Sequence, residues 1–244
     1  EAVSLLFFII YTSMTADKRK YGFRRAFTLR PHLLKGMLSI SGWTMVQSFI
    51  SVSIWFIFFL AIEHLGERPL AVTNIVRNIS ALLIMVISAF ATTAGALISN
   101  QIGAGEQRCL FKTCGMTLKL TYAILIPLLI ILCLFPESVL RAFTDSPSLI
   151  AASVNSVYVM ASSTLIMAPS FILFNAVSGT GNTRAGFIME MISLAVYTAV
   201  IYYGIIRLKP DVALCWFSEH VYGVTLIFLA WWYLKSGKWR GKKV

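Results

Sequence analysis

LAVTNIVRNISALLIMVISAFATTAGALI, residues 70–98, carries a single charge, Arg77. A helix needs about 20 residues to cross the ~30 Å hydrocarbon core of a bilayer, and this run exceeds that. Five further runs of the same kind lie at about 37–62, 116–135, 149–176, 186–206 and 212–234. Lipid offers no water to backbone N–H and C=O groups, so spans without a closed barrel are helical. The expected fold is an all-α integral membrane protein, a six-helix transmembrane bundle.

Composition agrees. Hydrophobic residues make up 58% of the 244 residues and mean hydropathy is +0.78, above the range of ordinary soluble domains. The net charge of +11 might suggest a nucleic-acid partner. Yet the basic residues do not gather into a patch with interleaved aromatics, and no nucleic-acid partner is expected. They sort by loop instead. Sixteen of the 21 lysines and arginines lie in 15–36, near 99–119, near 180 and in the tail after 234, against four in the opposite loops. Basic residues accumulate on the cytoplasmic side. The connector 15–36 and the C-terminus are therefore expected in the cytoplasm, and the chain in the inner (cytoplasmic) cell membrane as a multi-pass protein.

The chain divides by composition. Residues 1–14 are an apolar run too short to span, expected to be the end of a truncated transmembrane helix. Residues 15–36 form a basic cytoplasmic connector that anchors topology and bridges two bundles. Residues 37–234 hold the six spans, and 235–244 a basic tail. Trp231, Trp232, Tyr233 and Trp239 are expected to close the last span as an interfacial aromatic belt. Cys109, Cys114, Cys133 and Cys215 have neither the spacing nor the histidines of a zinc set, and read as packing residues. His32, His64 and His220 form no ligand set. No nucleophile–base pair or metal triad points to an enzyme.

Two turns expected on the cytoplasmic side resemble each other: Asn100-Gln101-Ile102-Gly103-Ala104-Gly105 and Ser178-Gly179-Thr180-Gly181-Asn182-Thr183. Neither has the Lys-Ser/Thr of a phosphate-binding loop or a strand before it. Together with Leu65-Gly66-Glu67-Arg68-Pro69-Leu70-Ala71-Val72 and Asn78-Ile79-Ser80, the first resembles the seventh-to-ninth helix region of multidrug and toxic compound extrusion (MATE) transporters. The second is similar to that family's Arg-Gly-x-Gly-Asp-Thr turn after its tenth helix. The resemblance implies twelve helices in two lobes, with this chain as the end of helix six, the inter-lobe connector and the C-terminal lobe. It implies partners too: the lipid bilayer, the missing N-terminal lobe, and a small amphipathic or cationic substrate. That substrate, a drug or organic cation, would be exported in exchange for sodium ions or protons by rocking alternating access. No covalently bound cofactor is implied; the coupling ion is sodium or a proton. The family's acidic residue on helix seven falls at Ser51 and that on helix ten near Met167, so its C-lobe carboxylate pair is absent. Asn78 matches an asparagine of the cation site in some members.

Ionisable groups inside spans cost several kcal/mol and usually face an interior or a water-filled cavity. Glu190, Glu219 and Arg77 are of this kind. Ser193 and Tyr197 follow Glu190 at i+3 and i+7, and Tyr222 follows Glu219 at i+3, so each set shares a helical face. Glu219, Glu190, Asn78 and Arg77 are the candidates for cation coupling. Gln47, Ser51, Asn74, Tyr197 and Tyr222 are candidates for lining a cavity. Glu219 and Arg77 each lie about seven residues inside the outer end of a span, ~10 Å deep, and are expected to pair. The stripe Thr44, Gln47, Ser48, Ser51 and Trp55 reads as packing or cavity lining. Pro127 and Pro169 are expected to kink their helices statically. Two other functions stay open: a lipid-linked oligosaccharide flippase of the same superfamily, and a non-transporting scaffold or isolated half that needs a partner.

Overall fold

The structure, a computed structural model, describes residues 2–15, 31–237 and 239. Residues 1–42 form one compact unit and 43–244 another. The first unit contains helix α1, Ala2–Thr15, and the start of α2, Pro31–Glu63. Helix α2 begins at Pro31, inside the stretch 15–36 read as the connector, and its membrane-crossing part at Ser41. Proline at the first helical position gives up an N–H that has no partner there anyway, and its ring presets the backbone. Residues 16–30 lie outside the described residues, as do 238 and 240–244 of the basic tail.

The second unit is a helical bundle. Helix α3 spans Glu67–Gly103, α4 Leu110–Leu134, the short α5 Pro136–Leu140, and α6 Pro147–Gly179. Helix α7, Thr183–Val200, runs on into a π-helical stretch, Ile201–Arg207. The last span opens with α8, Val212–Cys215, and continues as α9, Ser218–Ser236. Between them Glu219 N–H bonds to Trp216 O and His220 N–H to Phe217 O, a tight i→i−3 turn that joins the two pieces. Among the described residues six segments are long and apolar enough to cross a membrane: Ser41–Glu63, Glu67–Gly103, Gln107–Leu134, Pro147–Gly179, Thr183–Arg207 and Val212–Ser236. The all-α bundle read from hydropathy is the fold observed.

Helix α6 is the hub, packed against α3, α4 and α9. Its approach to α3 is set by glycine. A Cβ added at Gly179 would fall 2.5 Å from Gly95 O, and one at Gly95 would fall 2.9 Å from Asn175 O. Small residues let transmembrane backbones meet and gain dispersion where no hydrophobic driving force exists between helices. In the same turn Gly181 takes φ 77°, which L side chains rarely adopt. Asn182 then caps α7, its Oδ1 accepting from Ala185 N–H at 3.3 Å, while its amide donates to Tyr233 OH.

Several polar side chains inside the spans find local partners. Thr117, Thr121 and Ser153 each donate to the carbonyl four residues back. Pro169 lacks the N–H that would have bonded to Leu165 O, and Tyr122 OH from α4 donates to that carbonyl at 2.7 Å. The carbonyl that the proline leaves without its helical donor is thereby satisfied from a neighbouring helix. At the end of α9, Trp231 and Trp232 are exposed, and Lys235 Nζ lies 4.6 Å over the Trp231 ring. Trp239 departs from the expected belt. It is buried, and its indole N–H donates to Leu234 O at 2.9 Å.

Two outcomes follow from this packing. Gly179→Ala forces α3 and α6 apart and should cost about 1–3 kcal/mol or more, whereas Gly103→Ala, with nothing within 4 Å of the added Cβ, should stay within about 0.5 kcal/mol. Thermal unfolding of the detergent-solubilised protein compares the pair, and equal Tm values would refute the backbone contact. Tyr122→Phe removes one hydroxyl and leaves Leu165 O unpaired, an expected loss of about 1–3 kcal/mol. The same variant in a Pro169→Ala background should lose much less, because the helix then supplies its own donor.

Candidate functional site

Helices α7 and α9 pack side by side and exchange hydrogen bonds in a crossed pattern. Glu190 of α7 accepts from Tyr222 of α9, whose hydroxyl lies 2.9 Å from Oε1 and 3.1 Å from Oε2. Glu219 of α9 accepts from Tyr197 of α7 at 2.7 Å. Each helix therefore contributes one carboxyl and one tyrosine, and each tyrosine serves the other helix's acid. The two rings meet edge to face, with centroids 5.8 Å apart. The spacing that puts Glu190, Ser193 and Tyr197 on one face of α7, and Glu219 and Tyr222 on one face of α9, makes this exchange possible.

Helix α2 adds a third wall. Ser51 Oγ donates to Glu190 Oε1 at 2.8 Å and also lies 2.9 Å from Gln47 O. The Trp55 side chain reaches the Glu219 carboxyl. Below this, Phe58 and Ile62 of α2 bury against Tyr197, Ile201 and Ile205, so large side chains fasten α2 to α7. The π-helical stretch supplies two of them. Glu190 is buried at 4% exposure and Glu219 is half-buried. The Ser193 hydroxyl, wholly buried on the Glu190 face, has no partner.

The pairings 190–222 and 197–219 run antiparallel, so acids at the same depth into their own helices sit toward opposite ends of the pair. Glu190 is seven positions after Thr183 and Glu219 seven after Val212, each about 10 Å along its helix. Two carboxyls ringed by hydroxyl donors can each hold a proton. Their oxygens, with those of serine and tyrosine, are also the hard ligands that alkali cations prefer. Removing such an acid from water without partners is prohibitive, and every partner found here is neutral.

Five sequence candidates thus come together: Ser51, Glu190, Tyr197, Glu219 and Tyr222. Gln47 contributes its carbonyl. The others stand apart on α3. Arg77 does not pair with Glu219, which corrects the expectation from depth: its guanidinium lies over the Phe59 ring, 5.1 Å from the centroid. Asn74 donates to Leu70 O at 3.1 Å, and Asn78 is exposed. His220 also lies elsewhere, its Nε2 2.9 Å from Ser162 Oγ and its ring stacked on Phe217. Phe59 was not singled out from sequence; lying four residues after Trp55 on one face was the available signal.

Comparison with known proteins bears on the whole bundle. A search of curated proteins by sequence found no match. Among solved structures, a mutant of the Vibrio cholerae MATE transporter VcmN superposes with TM-score 0.77 at 15% identity, covering 87% of this chain and 48% of that one. An outward-facing multidrug resistance MATE family transporter of the MOP superfamily gives 0.74 at 14%, covering 84% and 46%. A MOP superfamily transporter from Pyrococcus furiosus, described as having a binding pocket of reverse polarity, gives 0.72 at 14%, covering 82% and 44%. These likenesses concern the fold, and the chain spans a little under half the length of each. The family model MatE matches residues 44–203, more than half of the sequence and most of the bundle just described: the chain belongs to the MatE family of membrane transporters.

Proposed function

We propose that this chain is the C-terminal half of a secondary active antiporter, which exports amphipathic drugs or organic cations in exchange for sodium ions or protons. Export proceeds by rocking alternating access against an N-terminal lobe, in the inner cell membrane with the C-terminus cytoplasmic. The observation that carries the reading is the paired acid–tyrosine exchange between α7 and α9. Two carboxyls held by neutral hydroxyls inside apolar spans are a costly arrangement for mere packing.

The resemblance put the family's helix-seven acid at Ser51, and Ser51 is the residue that meets Glu190. We read Glu190 as supplying, from α7, the carboxylate that α2 lacks. The coupling ion then binds at Glu190 with Ser51 and Tyr222, and Glu219 with Tyr197 forms a second station nearer the opposite face. A flippase for lipid-linked oligosaccharides remains the second reading, favoured by one observation: Arg77, a cation inside a span with no acid at hand among the described residues.

Glu→Gln keeps size and hydrogen bonding but removes ionisation. In full-length protein reconstituted into vesicles, E190Q and E219Q should each cut gradient-driven efflux by about tenfold or more, and the double variant should abolish it with folding intact. Wild-type gradient dependence in the double variant would move coupling to the other lobe. Topology has its own check in intact cells lacking native cysteines. An impermeant thiol reagent should label Asp145→Cys and spare Glu106→Cys, both exposed positions; the reverse pattern would invert the orientation.

A further inference from the structure

Arg77 sits ten positions into α3, about 15 Å along the helix from Glu67. Among the described residues its guanidinium makes no hydrogen bond or ion pair and lies over the Phe59 ring, 5.1 Å from the centroid. Phe59 is itself fixed edge-on to Trp55 at 5.0 Å. Asn74 and Asn78 lie three residues before and one after, so the three polar side chains form one i, i+3, i+4 stripe. The Asn74 amide is engaged with Leu70 O, and Asn78 is exposed. The stripe is rich in donors and holds no acid. Below it, where Ala81, Leu82 and Met85 follow, the exposed face is apolar.

No hydrogen bond or ion pair engages the Arg77 guanidinium among the described residues, and its N–H fork matches the oxygens of carboxylate, sulfonate or phosphate. An apolar slab without a counter-charge makes the attraction for such a group strong. We propose that Arg77, with Asn78, is a binding site for the anionic head of an amphipathic molecule, whose apolar body lies along the Leu82–Met85 face and the aromatic pair Trp55–Phe59. The ligand is either a free amphiphile or an anionic lipid headgroup, which share this chemistry. Only its status as cargo rests on the transport reading, and binding does not. The site adjoins the acid–tyrosine exchange at Trp55, whose side chain also reaches Glu219, but its anion contacts are those of Arg77 and Asn78, so loss of coupling at Glu190 and Glu219 and loss of anion binding here are read by different variants.

The test is equilibrium binding, without any gradient, to the full-length protein in nanodiscs of phosphatidylcholine. The probes are a fluorescent arylsulfonate and an arylammonium of matched size. R77Q should weaken arylsulfonate binding by about tenfold or more and leave arylammonium binding unchanged, and R77K should recover part of the loss. R77E should reverse the preference. Monodisperse elution and an unchanged Tm identify folded variants, and R77K preserves the charge where R77Q disturbs packing. Nanodiscs rich in phosphatidylglycerol separate the sources: competition with the arylsulfonate in wild type, lost in R77Q, assigns the site to lipid, and no competition assigns it to a free amphiphile. Equal arylsulfonate affinity for wild type, R77K and R77Q in both lipids would overturn the proposal.

Discussion

Inside the bilayer a polar group has no water to fall back on, and the crossed bonds between α7 and α9 are where this constraint is felt most. Glu190 takes hydroxyls from Tyr222 and Ser51, and Glu219 takes one from Tyr197. Removing one of these donors leaves a buried acid short of a partner, with a loss larger than the net worth of the bond itself. The exchange also fixes the rotation of both helices, because each contributes an acid and a tyrosine to the same seam. Helix α2 is held to that seam by Ser51 and by the packing of Phe58 on Tyr197. The glycine contact between α3 and α6 does the same for the other side of the bundle.

Much of this was legible in the chain. Hydropathy located the six spans, because transfer free energy depends on composition more than on context. It missed the ends at Pro31 and Thr183, where polar residues extend a helix beyond the apolar slab. The acids announced themselves as charges inside apolar runs, and the periodicity of α7 and α9 named Tyr197 and Tyr222. Which helix faces which was not legible. Glu219 and Arg77 share a depth, but depth leaves the direction around the helix undetermined, and Arg77 turns to Phe59 instead. Tyr122 was passed over for a related reason. Its partner is a backbone carbonyl freed by Pro169 on another helix, and no local pattern in α4 announces it. The π-helical stretch at Ile201–Arg207 has no composition cue.

On the transport reading proposed above, the two acids of the antiparallel spans α7 and α9 would give an ion two stations joined by tyrosines. Neutral donors leave each carboxyl able to change its charge without breaking an ion pair, which a group that loads and releases an ion must do. Arg77 lies on a different helix and has the opposite sign. An acidic, hydroxyl-lined seam and a cationic face thus meet at Trp55, and on the proposed reading an ion and an organic ligand would be recognised by different chemistry.

Infrared difference spectroscopy of the carboxyl region tests the central claim most directly, in purified full-length protein cycled between ion-free and sodium-loaded states and between alkaline and acid buffer. The expected result is a carboxyl band that shifts on loading by one of the two ions, disappears in E190Q and changes frequency in Y222F. An unaltered difference spectrum in the E190Q/E219Q double variant would contradict the assignment of the ion site to this seam.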